Sequence, residues 1–324
     1  MKAAVYYHNG EPEVLRYEDI PEPVLGSSDV LIAVEAISVE GGDILTRRRA
    51  PVATPPHVVG YAAAGVIRAV GPDVTDIDVG DHVAAFHWSG SHAELWAVPD
   101  RYVYPIPNDM DARLAATVPV AFGTAHDALF EFGRLQSGES VLIRGATGGV
   151  GLAAAQLAKA AGGLVIGTAS SDDRAAELSA MGVDHALNYR TQSVVDAVLD
   201  ITDGGGVDLL VDMAGGPDIN AMTQAVRYRG RVSIVGASSE KPTSIGFYEL
   251  VSRSLSLFGV SAGQEMHLPR MHSILRRHLR SAAEGTLTMP IDRTYPLAAA
   301  AAAHRHVEFD HPLGRVVMVP NHLA

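Results

Sequence analysis

A glycine-rich turn carries the clearest chemical signal in the sequence. Residues 145–151 read Gly-Ala-Thr-Gly-Gly-Val-Gly, after an apolar strand pattern and before a helical one. Gly148 would let the backbone approach a pyrophosphate, and Gly151 would let the helix pack close to the strand. This context separates a dinucleotide-binding turn from a merely tight one. The predicted phosphate cradle consists of Ala146, Thr147, Gly148, Gly149, Val150 and Gly151.

The residues after the second predicted strand indicate which dinucleotide binds. A carboxylate about 20 residues beyond the glycine turn normally holds the ribose 2′-hydroxyl, but the chain has Ala169 there. Ser170, Ser171 and Arg174 follow, and hydroxyls with a guanidinium suit a 2′-phosphate. We therefore predict NADPH over NADH. The alternative for the same segment is a helix N-cap at Ser171 with an acidic first turn and a solvated Arg174.

Strands and helices must position these residues, and the period of the sequence changes once along the chain. Residues 1 to about 122 read as short β segments between turns, typical of a partly antiparallel, barrel-like domain. Six strands that alternate with helices follow, which indicates a doubly wound parallel sheet. We predict an α/β protein with a Rossmann domain at 123–264, inserted in a β-rich domain formed by 1–122 and 265–324.

Composition narrows the function classes. The 324 residues include no cysteine, which excludes disulfides, thiolate zinc sites, Fe–S clusters and a cysteine nucleophile. A net charge of −12 opposes binding to nucleic acid and to anionic lipid. The chain shows no apolar run of about 18 residues and no signal-peptide pattern, so we expect a cytoplasmic protein without a membrane span.

Short motifs follow one another along the chain at residues 60–66, 79–83, 145–151, 156–159, 182–190, 229–232 and 314–317. Together they resemble the zinc-free quinone oxidoreductase (ζ-crystallin-like) branch of the medium-chain dehydrogenase/reductase superfamily. The resemblance implies a GroES-like catalytic domain interrupted by a Rossmann domain, NADPH, and two-electron reduction of quinones or activated enones. It also implies that Tyr189 and Arg174 help hold the 2′-phosphate. A homodimer is implied through the edge strand that begins at Leu255 and ends at Val260.

The positions that hold catalytic zinc in relatives of this family carry other residues here. Judged by spacing, they fall on Glu40, Tyr61 and Val120, and a carboxylate, a phenol and a valine cannot form the tetrahedral N/S site. His87 and His92 have no helical metal-ligand spacing, so we predict no metal. Quinone reductases of the family usually carry asparagine where this chain has Glu40, which leaves the quinone preference open. The alternative for Glu40 is an exposed turn residue.

Without those metal ligands, the accessible chemistry is hydride delivery to an acceptor that stabilises its own charge. Tyr61 is the first candidate for the protonation that follows, with Glu40 and Asp43 as its partners. The nicotinamide is expected in a cleft between the domains. The residues expected on its cofactor side are Thr124, Gly236, Ala237 and Ser238. Candidates for an aromatic substrate wall, with core packing as the alternative for each, are Trp88, Phe122 and Phe247.

Three functions follow in order of preference. The first is an NADPH-dependent reductase of quinones or related activated carbonyl compounds, and the second is an enoyl or alkenal reductase. The third is a non-catalytic cofactor-binding or RNA-binding relative. The negative charge argues against RNA, and the intact glycine turn argues against a lost cofactor site.

Overall fold

The computed structural model describes residues 1–52 and 54–323. Its strands are β1 (Lys2–Tyr6), β2 (Arg16–Asp19), β3 (Asp29–Val39), β4 (His57–Val58), β5 (Ala62–Val70), β6 (His82–Phe86), β7 (Leu95–Pro99), β8 (Val103–Pro105), β9 (Ser140–Arg144), β10 (Leu164–Ala169), β11 (His185–Asn188), β12 (Val207–Asp212), β13 (Val226–Ile234), β14 (Ser256–Gly259), β15 (Ile291–Pro296) and β16 (Arg315–Val319). Its α-helices are α1 (Gly41–Arg49), α2 (Ala112–His126), α3 (Gly149–Ala160), α4 (Asp172–Ala180), α5 (Val194–Ile201), α6 (Ile219–Met222), α7 (Phe247–Val251), α8 (Pro269–Ala283) and α9 (Ala300–Arg305).

The chain divides into two compact units. The first contains Met1–Gly123 and the segment that starts at Gly263, and the second contains Thr124–Ala262. The boundaries predicted from the sequence lie after residues 122 and 264. Within the described residues, no helix is long and apolar enough to cross a membrane.

The second unit contains a six-stranded parallel sheet in the order β11-β10-β9-β12-β13-β14. Counted from β9, this is the order 3-2-1-4-5-6, so the predicted doubly wound sheet is confirmed. Its central strands read as apolar runs, as expected of a parallel sheet, and Val141, Leu142 and Ile143 are fully buried. β14 forms one edge of the sheet, and pairing of two copies through it stays a prediction.

The first unit is built on a larger, mainly antiparallel sheet. Its order is β15-β16-β3-β5-β6-β8, with β7 also paired to β3, and a smaller sheet has the order β2-β1-β4. The long strand β3 pairs with both β5 and β16. Ile32, Val34 and Ile37 of β3 are buried, which anchors this strand in the core. The ends of β3, β5 and β16 therefore have fixed positions relative to one another.

Candidate active site

Strand register brings Glu40, Tyr61 and Arg315 to one end of the larger sheet in the first unit. Val39 at the end of β3 lies opposite Val316 of β16, so Glu40 and Arg315 are the next pair in this antiparallel register. Tyr61 immediately precedes β5, which runs antiparallel to β3. The three residues are far apart in the sequence, and sheet pairing alone explains why they meet.

Glu40 is a buried counter-ion, and the exposed-turn alternative is wrong. Its side chain is 2% exposed. Oε2 lies 2.5 Å from Nη1 of Arg315, and Oε1 accepts a hydrogen bond of 2.8 Å from Oγ of Ser38. Burial raises the pKa of the Glu40 carboxyl, and the Arg315 guanidinium and Ser38 hydroxyl oppose that rise. Both carboxylate oxygens are thus held by neighbouring side chains.

Asp43 lies in the first turn of α1 and is fully buried. Its Oδ2 accepts a hydrogen bond of 2.8 Å from the backbone N–H of Glu40, which satisfies an unpaired donor at the helix start. Within the described residues, Oδ1 has no hydrogen-bond partner. Burial, together with the nearby Glu40 charge, raises the pKa of Asp43 well above its usual range. The site therefore contains a second buried carboxyl group, which is held by the backbone at the start of α1.

The phenol of Tyr61 is held through its oxygen. Its Oη accepts a hydrogen bond of 3.2 Å from the backbone N–H of Gly42, so the phenol hydrogen stays available for another acceptor. Burial, followed by the negative charges of Glu40 and Asp43, raises the pKa of Tyr61 well above its usual range. Tyr61 is therefore a neutral phenol at physiological pH, and it keeps partial solvent exposure.

An aromatic row continues from Tyr61, and it contains one of the three predicted wall residues. The ring centroids of Tyr61 and Phe86 are 5.9 Å apart, and those of Phe86 and Trp88 are 5.3 Å apart, both edge to face. Trp88 is 51% exposed and could contact a flat ligand. Phe86 was not identified from the sequence. The available signal was the alternation of side chains along β6, which continues into the segment Phe86-His87-Trp88 and places Phe86 and Trp88 on one side.

The other two predicted wall residues lie elsewhere. Phe122 is fully buried, and its ring packs against His278 at 5.9 Å between centroids. This position gives Phe122 a core-packing role and argues against contact with a substrate. Phe247 is 70% exposed at the start of α7 in the second unit, against Tyr248.

The three positions that correspond to zinc ligands in relatives do not form a metal-binding site in this structure. Val120 is an apolar, buried residue of α2, and Glu40 and Tyr61 have the partners given above. The described ranges, 1–52 and 54–323, contain no group of three His, Cys, Asp or Glu side chains that could hold a metal ion. His92 is fully buried and lies 3.0 Å from His304, between their Nε2 atoms.

The glycine turn lies between β9 and the N-terminus of α3, as its sequence context predicts. A Cβ on Gly151 would lie 2.6 Å from Cα of Ala146, so the predicted close packing of helix and strand is confirmed. A Cβ on Gly148 would meet no protein atom closer than 3.8 Å, and Gly148 is exposed at the N-cap of α3. The fold itself does not need glycine at 148, whereas a phosphate that approaches the N-terminal N–H groups of α3 does.

The predicted 2′-phosphate residues meet at the carboxyl ends of two neighbouring strands. Ala169 lies opposite Asn188 in the β10–β11 register, and the N–H of Tyr189 donates to the Ala169 carbonyl at 3.1 Å. Tyr189 is 51% exposed, and Ser170 directly follows β10. Ser170 and Tyr189 therefore lie at adjacent strand ends, and their contact with a phosphate stays a prediction.

The structure confirms the N-cap part of the alternative for this segment. Oγ of Ser171 accepts a hydrogen bond of 3.2 Å from the N–H of Arg174 and caps α4. The Arg174 guanidinium forms an ion pair with Glu177 at 2.8 Å, so it is not simply solvated. Ser171 therefore stabilises the start of α4. A phosphate would compete with Glu177 for the guanidinium of Arg174.

The remaining predicted cofactor residues lie in the second unit. The loop after β13 includes Gly236, where a Cβ would lie 2.8 Å from the Met213 carbonyl oxygen, and its Ala237 and Ser238 are exposed. The N–H of Ser238 donates to that carbonyl at 3.2 Å. Thr124 is partly exposed on α2. Their contact with a cofactor stays a prediction.

Comparison with known proteins agrees with this geometry. The sequence model of the Zinc-binding dehydrogenase family matches residues 149–277, and that of the Alcohol dehydrogenase GroES-like domain matches residues 26–108. A quinone oxidoreductase from Mus musculus is 31% identical over 95% of this chain and 94% of its own length. The chain belongs to the zinc-free quinone oxidoreductase-like branch of the medium-chain dehydrogenase/reductase superfamily. It is therefore an oxidoreductase.

Two further relatives bear on chemistry and cofactor. A 2-haloacrylate reductase from Burkholderia sp is 30% identical over 98% of each chain. A mycobacterial protein whose structure was solved as a complex with NADPH has a TM-score of 0.92 and 30% identity, over 99% of this chain and 100% of that one. These findings support a nicotinamide cofactor for the family member described here.

Proposed function

We propose that this protein is an NADPH-dependent, metal-independent reductase that transfers hydride to quinones or related activated carbonyl compounds. The observation that carries the proposal is Tyr61, a phenol held by the Gly42 N–H at a position where relatives of the family carry a zinc ligand. A phenol there cannot polarise a carbonyl as a metal does. It can complete the reduction of an acceptor that stabilises its own negative charge.

The residues divide the work as follows. The N–H groups at the start of α3 would hold the pyrophosphate, and Ser170, Arg174 and Tyr189 would hold the 2′-phosphate. NADPH supplies the hydride when bound. Tyr61 then donates its proton to the reduced substrate. Arg315 balances the negative charge of the Glu40 carboxylate near the phenol.

A second candidate, reduction of an enone or enoyl double bond, is favoured by the same phenol. Hydride addition at a β-carbon leaves an enolate, whose α-carbon needs a positioned proton donor more than a hydroquinone anion does. The relative named for 2-haloacrylate reduction supports this chemistry. The two candidates differ in acceptor and share cofactor and site.

Steady-state assays on one enzyme preparation separate the candidates. The protein is treated with a chelator, freed of the chelator and given NADPH with quinones, alkenals, cyclic enones and enoyl thioesters. We expect the highest kcat/KM with a quinone and unchanged rates after chelation. A higher kcat/KM for an enone or an enoyl thioester would favour the second candidate, and activity that returns only with added zinc would contradict the proposal.

The strand-end residues also predict cofactor selectivity. NADPH should bind at least about tenfold more tightly than NADH, about 1.4 kcal/mol, because Ala169 replaces the usual carboxylate and cations can meet the 2′-phosphate. Arg174→Ala should weaken NADPH binding and leave NADH binding nearly unchanged. Titration of cofactor fluorescence measures each Kd.

Two further variants control this measurement. Glu177→Gln releases Arg174 from its ion pair and should tighten NADPH binding without affecting NADH. Lys159→Ala removes a cation of the same unit and should change neither Kd. Lys159 is paired with Asp184, which contacts Val165 near the start of β10, at the opposite end of the strand from Ala169. Equal dissociation constants for the two cofactors in the unaltered protein would contradict the predicted selectivity.

A further inference from the structure

We propose that Gly42 is a positioning residue for Tyr61, and that the first turn of α1 forms a seat that holds the phenol oxygen so that its proton points away from the protein. This inference rests on the proposed function, since it concerns the proton donor of that reaction. It assigns a role to a residue that no motif in the sequence marks. The phenol seat is defined as the backbone N–H of Gly42, the space where its Cβ would be, and Oη of Tyr61.

The Tyr61 side chain occupies the space that a Cβ on Gly42 would take. A Cβ built on Gly42 would lie 2.5 Å from Oη and 2.9 Å from Cε1 of Tyr61. Ordinary Cβ contacts begin near 3.4 Å, so any side chain at 42 must displace Oη of Tyr61 by about 1 Å. A displacement of this size is enough to disrupt catalytic geometry. Gly42 is in the first turn of α1, where alanine has the higher helix propensity. Backbone conformation therefore does not explain the glycine, whereas the Tyr61 ring does.

The N–H of Gly42 fixes the direction of the phenol. Because this N–H donates to Oη at 3.2 Å, one lone pair of the oxygen is occupied and the O–H bond turns elsewhere. The same N–H is one of the unpaired donors at the N-terminus of a nine-residue helix. It stabilises the negative charge that remains on the oxygen after the proton has left. The phenol seat thus orients the O–H bond and stabilises the phenolate that remains after proton transfer.

The charges of Glu40, Asp43 and Arg315 act on the phenol oxygen of Tyr61. Arg315 is almost completely buried, and its Nη1 contacts Glu40. Its Nε and Nη2 atoms have no hydrogen-bond partner within the described residues. Its positive charge acts on Tyr61 against those of Glu40 and Asp43. Burial and the two carboxyl groups keep the phenol protonated before turnover, and Arg315 offsets part of their effect on the phenolate that forms when the proton leaves.

The neighbouring glycine supplies a matched control. Gly41 is the preceding residue of the same helical turn, and a Cβ built on it meets nothing within 4 Å. Gly41→Ala and Gly42→Ala therefore make the same chemical change one residue apart, and only the second disturbs Tyr61. Alanine favours the helix in both, so both variants should fold, which a thermal melt verifies.

The test compares these variants by kinetics and by NMR of protein labelled with 13C at Cζ of tyrosine. We expect Gly42→Ala to lower kcat for enones by about 10- to 100-fold, with the Kd for NADPH unchanged, and Gly41→Ala to stay within about twofold. The Tyr61 resonance, assigned with Tyr61→Phe, should shift in cofactor-free Gly42→Ala and not in Gly41→Ala. In a Tyr61→Phe background, Gly42→Ala should lower kcat no further than about twofold, because the positioned hydroxyl is already absent.

The possible failures are distinguishable. An unmoved Tyr61 resonance in Gly42→Ala, or an unchanged kcat in that variant beside a reduced kcat in Tyr61→Phe, would overturn the phenol seat and leave the proposed function intact. Full activity of Tyr61→Phe on every acceptor would instead overturn the part of Tyr61 in the proposed function.

Discussion

Replacement of Tyr61 by phenylalanine should lower kcat for enone substrates by about 10²-fold, the usual scale of a general acid. The substitution removes the one hydroxyl that the Gly42 N–H holds and leaves the contact of the ring with Phe86 in place. Quinone turnover should fall much less, because a hydroquinone anion takes its proton from water. Steady-state kcat for both acceptor classes, measured over a range of pH, checks the difference.

Tyr102 provides the control for that result. Its ring also packs against Phe86, with 5.9 Å between centroids, and Tyr102→Phe deletes a hydroxyl from the same aromatic cluster. We expect this variant to keep the kcat of the unaltered enzyme for both acceptor classes. If Tyr61→Phe retained full kcat on every enone at pH values where proton transfer limits the rate, Tyr61 would have only a packing role.

Acid should destabilise the protein through two buried histidines of the first unit. Burial lowers the pKa of His92 to about 3, and burial, followed by the neighbouring His92 and Arg47, lowers the pKa of His304 well below its usual range. Between pH 6.5 and 3 the unfolded chain binds protons that the folded chain refuses, so stability falls as pH falls. For His92 alone the loss between pH 7 and pH 4 is about 3 kcal/mol.

The surroundings of these histidines explain why they stay neutral. Arg47, itself fully buried, can only donate, so Nδ1 of His304 accepts its hydrogen bond at 3.3 Å. Nε2 of His304 then donates to Nε2 of His92, and Nδ1 of His92 faces Oγ of Ser91 at 3.4 Å. The positive charge of Arg47 is matched by Glu308 at 2.5 Å. A proton on either imidazole would therefore break the chain of hydrogen bonds and add an unpaired buried charge.

Urea unfolding of the full chain between pH 7 and pH 4 measures this effect. We expect His92→Gln to flatten the dependence of the unfolding free energy on pH relative to the unaltered protein. His8→Gln, which replaces an exposed histidine, should leave that dependence unchanged. Asp43 and Glu40 act in the opposite sense, because their pKa values are raised, so the comparison of slopes between variants isolates the histidines. Identical slopes for His92→Gln and the unaltered protein would contradict the account.

The sequence predicts the parts of this protein that depend on local patterns. The alternation of apolar strands and helices after residue 123 predicts the parallel sheet, and the spacing of Gly148 and Gly151 predicts the turn between β9 and α3. These signals are local because a strand, a tight turn and a helix start follow one another within a dozen residues.

Long-range pairing decides the rest of the candidate site. The partner of Glu40 is Arg315, and the partner of His92 is His304, more than 200 residues away in each pair. No periodicity reveals such pairs, although an arginine within the apolar run Arg315-Val316-Val317-Met318-Val319 is a signal of a buried charge that needs a partner. Gly42 is likewise informative only after the position of the Tyr61 ring is known.

Anaerobic single-turnover mixing tests the central claim most directly. Chelator-treated enzyme with one equivalent of NADPH is mixed with each acceptor class, and the absorbance of the reduced nicotinamide is followed. We expect the loss of one equivalent with a quinone or an activated enone, at a rate that slows when NADPH carries deuterium at the transferred position. Absorbance that decays no faster than in buffer with every acceptor, or that decays only after zinc is added, would contradict the assignment.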